Sequence, residues 1–181
     1  MPEYLKEELE ILLDGKLSWA RVQEIIDNPK DEDRFEKWLQ ILQARVSFKE
    51  KILLPLTNHL YIVQKGKDRI VKCDCGYEFG DYRVNWKLYS LVYLRATQDA
   101  IEEIYPGTEA PEAEWVNVRE YCCPGCAAML EVETLPPGVP ADFEFLPDLD
   151  TFYGDWLNQP LPEKFEFIDK TSEVLAQWAK E

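Results

Sequence analysis

The stretch VKCDCG at residues 71–76, answered by CCPGC at residues 122–126, carries most of what the chain discloses about its fold. It sets up two close cysteine pairs, Cys73 with Cys75 and Cys123 with Cys126. Residues i and i+2 of an extended strand point to one side, so Cys73 and Cys75 can face a common ion. Gly76 and the Pro124-Gly125 turn let the backbone bend tightly beside sulfur. Four thiolates in a tetrahedron satisfy zinc completely and leave no position for water or substrate. The spacing therefore predicts a zinc-ribbon-like unit whose metal holds the fold and does not catalyse. The ligand type also admits a four-sulfur iron centre, and free thiols or redox disulfides are the readings without metal. The insertion from Gly76 to Cys122 is longer than the roughly 15–20 residues usual between ribbon pairs. It has room for a strand and a short helix. Cys122 stands apart: on a strand it points away from Cys123 and is expected to enter the core.

Outward from the cysteines the periodicity predicts strands over residues 60–64 and 69–73, joined by a turn at 65–68 that contains Gly66. WKLYSLVYL at 86–94 reads as a third strand. Thr97 is a candidate cap for a short helix that ends near Tyr105-Pro106-Gly107. Residues 114–122 and 129–133 read as two more strands. The first 50 residues are helical in pattern. Leu5, Leu9, Leu12 and Leu13 recur at helical spacing before Gly15, and Ser18 can cap a helix that Asn28-Pro29 stops. Asp31 or Asp33 can cap a third helix, where Phe35, Trp38, Leu39 and Leu42 form one apolar face. That face reads either as ordinary core or as a surface packed on another subunit.

Residues 135–163 hold six prolines among Phe143, Phe145, Leu146, Leu149, Phe152, Tyr153, Trp156 and Leu157. Proline at that density blocks long helices and central strands, and aromatics in that number are costly to leave in water. An extended arm is expected, wrapped over this chain's own core or over a partner. Thr171–Lys180 reads as a final helix. The expected class is α+β, in three parts: an N-terminal helical region (1–55), a zinc-ribbon-like antiparallel β unit with a helical insertion (56–134), and the Pro/aromatic arm with its terminal helix (135–181).

The 181 residues carry 20 basic and 35 acidic side chains, a net charge of −15. That balance argues against nucleic acid and against an anionic membrane, which both demand basic patches. It suits a basic protein partner. No stretch reaches 18 apolar residues, and the N-terminus lacks the pattern of an export signal, so a cytoplasmic location is expected. Catalytic equipment is missing. His59 is the single histidine; it has no nucleophile partner in view and reads as a turn or strand-edge residue. No G-x-x-x-x-G-K-[ST] or G-x-G-x-x-G loop occurs. The acidic clusters at 7–10, 31–33 and 102–103 read as solvated faces and helix starts.

Several stretches together resemble one family: LLDGKLS (12–18), NPKDEDRF (28–35), KILLPL (51–56), VKCDCGYEFGDYRVNWKL (71–88), EEIYPG (102–107), REYCCPGC (119–126) and FYGDWL (152–157). On these the chain resembles the gamma subunits of acetone carboxylases, from about Leu13 to about Pro162. Tyr77 departs from the histidine frequent there in that family, which removes no proposed ligand. The resemblance implies a small zinc-holding subunit of an ATP-dependent ligase that converts acetone and bicarbonate to acetoacetate. It implies two larger partners, alpha and beta, that carry the ATP and manganese sites, in a heterohexamer with two copies of each subunit. Acetophenone carboxylase has a similar small subunit, so the ketone stays open. Competing with this are a free-standing zinc-ribbon module that binds another protein and a thiol redox protein.

Overall fold

The computed structural model describes residues 4–29, 31–107 and 109–180. The outer ends of the first and third expected parts, residues 1–3 and 181, lie outside the described residues. Three helices open the chain: α1 (Lys6–Leu13), α2 (Trp19–Asp27) and α3 (Arg34–Arg45). The Ser18 hydroxyl accepts from the Arg21 amide at the start of α2, as its cap position requires. Asp33 holds the cap position of α3 without bonding the backbone. Its carboxylate goes to Lys37 at 2.8 Å, and Asp31 binds Arg34 at 2.7 Å and Lys37 at 3.0 Å. Ion pairs to the first turns of the helix replace the expected cap.

Two antiparallel sheets follow. The first has the order β1 (Lys51–Pro55), β2 (Leu60–Lys65), β3 (Asp68–Cys73), β4 (Glu78–Asp81). Lys65 pairs with Asp68 across a two-residue turn, where Gly66 takes φ +61°. Such hairpin turns need positive φ, which glycine adopts without steric cost. The second sheet has the order β5 (Leu91–Arg95), β6 (Asn117–Cys122), β7 (Met129–Leu135), with α4 (Gln98–Glu102) in the connection from β5 to β6. Thr97 caps α4 through the Ala100 amide. The α+β class of the sequence reading is the class observed.

The first sheet is buried on both sides. Leu60, Ile62, Val71 and Phe79 face a core that also contains Tyr121 and Leu130 of the second sheet. Tyr61, Val63 and Ile70 face the other way, onto Leu42, Trp38 and Leu39 of α3. The apolar stripe of α3 is thus core within this chain, with Phe35 reaching round to the larger cluster. Burial on both faces explains why β2 reads as a continuous apolar run rather than an alternation.

The expected strand over 86–94 is two elements. Trp86–Tyr89 forms a 3₁₀ turn and the strand begins only at Leu91. The Asn85 side chain accepts from the Lys87 amide at 3.1 Å and donates to the carbonyls of Ala141 and Asp142. This local cap draws the backbone out of extended form. Likewise residues 112–116 turn before β6 starts, with the Trp115 and Val116 amides donating to the Glu112 carbonyl. β1 and β4 lie outside the expected strands, and the register of each is interrupted by a bulge or irregularity.

Beyond Leu135 the chain has no strand and only short helical turns until residue 171. A turn α5 (Leu149–Thr151) runs into a π-helical turn, Phe152–Trp156, and α6 (Thr171–Trp178) closes the chain. Leu149 and Tyr153 are buried in the cluster shared by both sheets. The Tyr153 hydroxyl donates to the Leu53 carbonyl at 2.7 Å, and buried Arg69 reaches Asp150 at 2.7 Å. The final helix buries no residue: Leu175 and Trp178 stay over 40% exposed, and the Trp178 and Tyr89 rings make a T-shaped pair.

Candidate metal centre

Cys73 is the last residue of β3 and Cys75 sits in the turn after it. Cys123 follows β6 directly, and Cys126 closes the turn back towards β7. Each pair is therefore held by a hairpin end, one from each sheet. In the first knuckle the Cys73 amide donates to the Tyr77 carbonyl and the Gly76 amide to the Cys73 carbonyl, both at 2.8 Å. In the second the Cys123 amide donates to the Ala128 carbonyl at 2.9 Å and the Ala127 amide to the Cys123 carbonyl at 2.8 Å. The Gly125 amide points at the Cys123 sulfur at 3.3 Å.

The two knuckles meet so that the four sulfurs lie within 4.8 Å of one another. Cys73 Sγ lies 3.8 Å from Cys126 Sγ, and Cys75 Sγ lies 3.6 Å from Cys123 Sγ. A tetrahedral zinc with bonds of about 2.3 Å needs sulfur–sulfur edges of about 3.8 Å. Disulfide sulfurs would be about 2.0 Å apart, and all five cysteines are free. The donor set and its size fit zinc. Cys73 and Cys123 are buried while Cys75 and Cys126 are exposed, so the centre straddles the core and the surface. Burial pushes the Cys73 thiol far above its ordinary range; an ion bound here must displace that proton.

Gly125 is what lets the knuckles close. A Cβ there would stand 3.0 Å from the Tyr77 Cβ and 3.2 Å from the Cys75 sulfur. Tyr77, opposite, packs edge-on to Phe79 at 5.0 Å. His59 lies beside the centre without entering it. Its Nδ1 is 2.7 Å from an Asp74 carboxylate oxygen, and its carbonyl accepts from the Asp74 amide. Both fasten the turn between Cys73 and Cys75, in keeping with a strand-edge histidine. Cys122 departs from expectation. It is half-buried and shares a face with Leu91 and Met129, its partners in register, so it points to the outer side of the second sheet and not to the core.

Sequence reasoning assigned no role to Lys87, in the stretch Asn85-Trp86-Lys87. Lys87 is buried, 2.6 Å from Glu131 and 3.4 Å from Glu144, and bonded to Glu133. The Tyr121 hydroxyl donates to Glu133 at 2.6 Å. The three carboxylates come as close together as metal ligands would, but the lysine ammonium already answers their charge. Trp86 packs between Phe79 and Tyr121, with centroids 5.9 and 6.1 Å away. Since the carboxylates lie 44–57 residues further along the chain, no local pattern could have announced this group.

Together the fold and the four sulfurs define a class: a small α+β protein whose two sheets bring four cysteines into one cluster that could hold a metal ion. A sequence model of the acetone carboxylase gamma subunit family matches residues 46–157. The acetone carboxylase gamma subunit of Xanthobacter autotrophicus is 40% identical over 163 residues, 89% of this chain and 97% of that one. The acetophenone carboxylase beta subunit of Aromatoleum aromaticum is 34% identical over 80 residues, 43% of this chain and 62% of that one. The chain belongs to the acetone carboxylase gamma subunit family.

Proposed function

We propose that this chain is a non-catalytic, zinc-holding subunit of an ATP-dependent ketone carboxylase, a ligase that forms acetoacetate from acetone and bicarbonate in ketone degradation. The supporting observation is the pairing of a closed sulfur tetrahedron with family membership over most of the chain. Cys73, Cys75, Cys123 and Cys126 are the zinc ligands. Four thiolates leave the ion no vacancy, so it braces the fold and activates nothing. The ATP and manganese sites belong to two larger subunits, alpha and beta, and the assembly is a cytoplasmic heterohexamer with two copies of each chain. No helix among the described residues is long and apolar enough to cross a membrane, in keeping with that location.

The test is co-expression with the two larger subunits, followed by native mass spectrometry and elemental analysis. Equal subunit ratios, one zinc per copy of this chain and loss of acetone-dependent ATP turnover on its omission are expected. Failure to co-purify, or turnover unchanged without it, would overturn the reading. Iron in place of zinc would correct the metal alone. The partial likeness to an acetophenone carboxylase subunit supports a second reading, a complex acting on an aromatic ketone. Preference of the assembled enzyme for acetophenone over acetone would select it.

A further inference from the structure

Among the described residues β5 is the outermost strand of the second sheet, hydrogen-bonded on one side only. Its pairing with β6 runs unbroken from Leu91 opposite Cys122 to Arg95 opposite Val118. Natural edge strands are usually blunted by charge, proline or a bulge, because their free N–H and C=O groups are templates for another strand. Leu91-Val92-Tyr93-Leu94 has none of these devices. These four residues are 55%, 50%, 51% and 50% exposed. Successive strand residues face opposite sides, so the edge is open on both faces. One face continues across the sheet in two rows, Leu91–Cys122–Met129 and Tyr93–Glu120–Val132. Met129 and Val132 at the far ends are 52% and 45% exposed.

The connection that leaves β5 has one sign of charge. Residues 96–116 contain Asp99, Glu102, Glu103, Glu109, Glu112 and Glu114, and no lysine or arginine. All six are exposed, and among the described residues only Glu103 is in an ion pair, with Arg95. Trp115, in the same connection, is 72% exposed. The surface therefore offers main-chain hydrogen bonds, the row Leu91–Cys122–Met129, a second row in which Glu120 between Tyr93 and Val132 is ion-paired with Arg95 and, at one end, uncompensated negative charge. Its complement is an extended segment with alternating apolar residues, flanked by lysine or arginine. A second copy of this chain fits poorly, since it would bring another net charge of −15 against the first.

We infer that the open edge of β5 is the docking strand for a larger carboxylase subunit, which adds a basic-flanked, apolar strand of its own to this sheet. The inference rests on the proposed subunit role and names the surface that performs it. The experiment reconstitutes the complex from this chain and the larger subunits and uses two readouts. Leu91→Lys/Tyr93→Lys places charge on half-exposed positions; binding is expected to weaken at least 100-fold, with metal content and melting temperature of the isolated chain unchanged. In the unaltered complex the outward amides of residues 91–94 should gain at least 100-fold protection from hydrogen exchange, a measurement independent of how the variant folds. Normal binding by the variant together with unprotected amides would overturn the edge assignment and leave the subunit role intact. An unaltered chain that does not bind the larger subunits overturns both. Self-association of the unaltered chain that Leu91→Lys/Tyr93→Lys abolishes would give the edge to a second copy and overturn the inference.

Discussion

Gly125 shows how one absent methyl group can let four sulfurs converge. With only 3.0 Å to Tyr77 Cβ, a side-chain atom whose position the backbone of the facing knuckle fixes, a new Cβ cannot be relieved by a rotamer change. Gly125→Ala is expected to push the cysteine pairs apart and weaken zinc at least tenfold, as read by competition with a chromogenic chelator. The ligands themselves respond more strongly. Cys126→Ser should release the metal and cost more than about 3 kcal/mol, because metal-binding energy is folding energy in such sites. Unchanged metal content and melting would remove Cys126 from the set. Cys122 neighbours a ligand yet faces the outer side of its sheet, half-buried. Cys122→Ala should keep the metal and cost less than about 1 kcal/mol; loss of the ion would mean that the wrong cysteine of the adjacent pair had been chosen.

At the scale of elements, charge fixes two joints that apolar packing alone would leave loose. Burial resists ionisation of Asp31, but its bonds to Lys37 and Arg34 hold the carboxyl down to about 2. Its folded value is below its unfolded one, so its contribution is present above about pH 4 and lost as pH falls towards 2. Asp31→Asn should therefore destabilise the start of α3 by roughly 1–2 kcal/mol at pH 7, and by progressively less between pH 4 and 2 in urea titrations. The second joint ties the 3₁₀ turn to β7. Burial opposes charge on Lys87, yet the neighbouring carboxylates Glu131 and Glu133 raise its affinity for its proton. Burial also opposes ionisation of Glu133, and Lys87 and Tyr121 outweigh it to leave that carboxyl below its ordinary value. Lys87 thus contributes fully below about pH 10 and Glu133 above about pH 4, so the pair is effective between those limits. Glu131 acts in the opposite sense, since burial raises it and favours its protonated form in the fold. Lys87→Met should cost about 3–5 kcal/mol at pH 7 by stranding a buried carboxylate, and less in acid as Glu133 takes up a proton. An equal cost at pH 7 and pH 3.5 in denaturant melts would contradict the pairing.

For the whole molecule the proposed metal centre has a mechanical meaning. The two sheets share no ladder, so side-chain packing, the C-terminal segment and the four cysteines join them. Removal of the metal with a strong chelator should loosen this joint first. The first sheet, covered on both faces, is expected to keep amide protection in β2 and β3 longer than β6 and β7 keep theirs, as followed by hydrogen-exchange mass spectrometry. Simultaneous loss in all four strands would mean that the sheets fold as one unit.

The sequence by itself determined the α+β class, the helical start, the hairpin of β2 and β3, and the cysteine pairs, because each is written in local spacing. A cap, a two-residue turn or two sulfurs on neighbouring strand positions need no distant partner. Other features were decided only by the tertiary structure. Whether Trp86 continues a strand depends on Asn85 finding carbonyls at residues 141 and 142. Where Cys122 points depends on the register of β6 between its two neighbours. The prolines and aromatics of 135–163 predict an arm over this chain's own core or over a partner, but not that Leu149 and Tyr153 end in the same cluster as Cys73 and Cys123. These outcomes hinge on contacts between residues far apart in the chain, and a pattern of local period has no term for them.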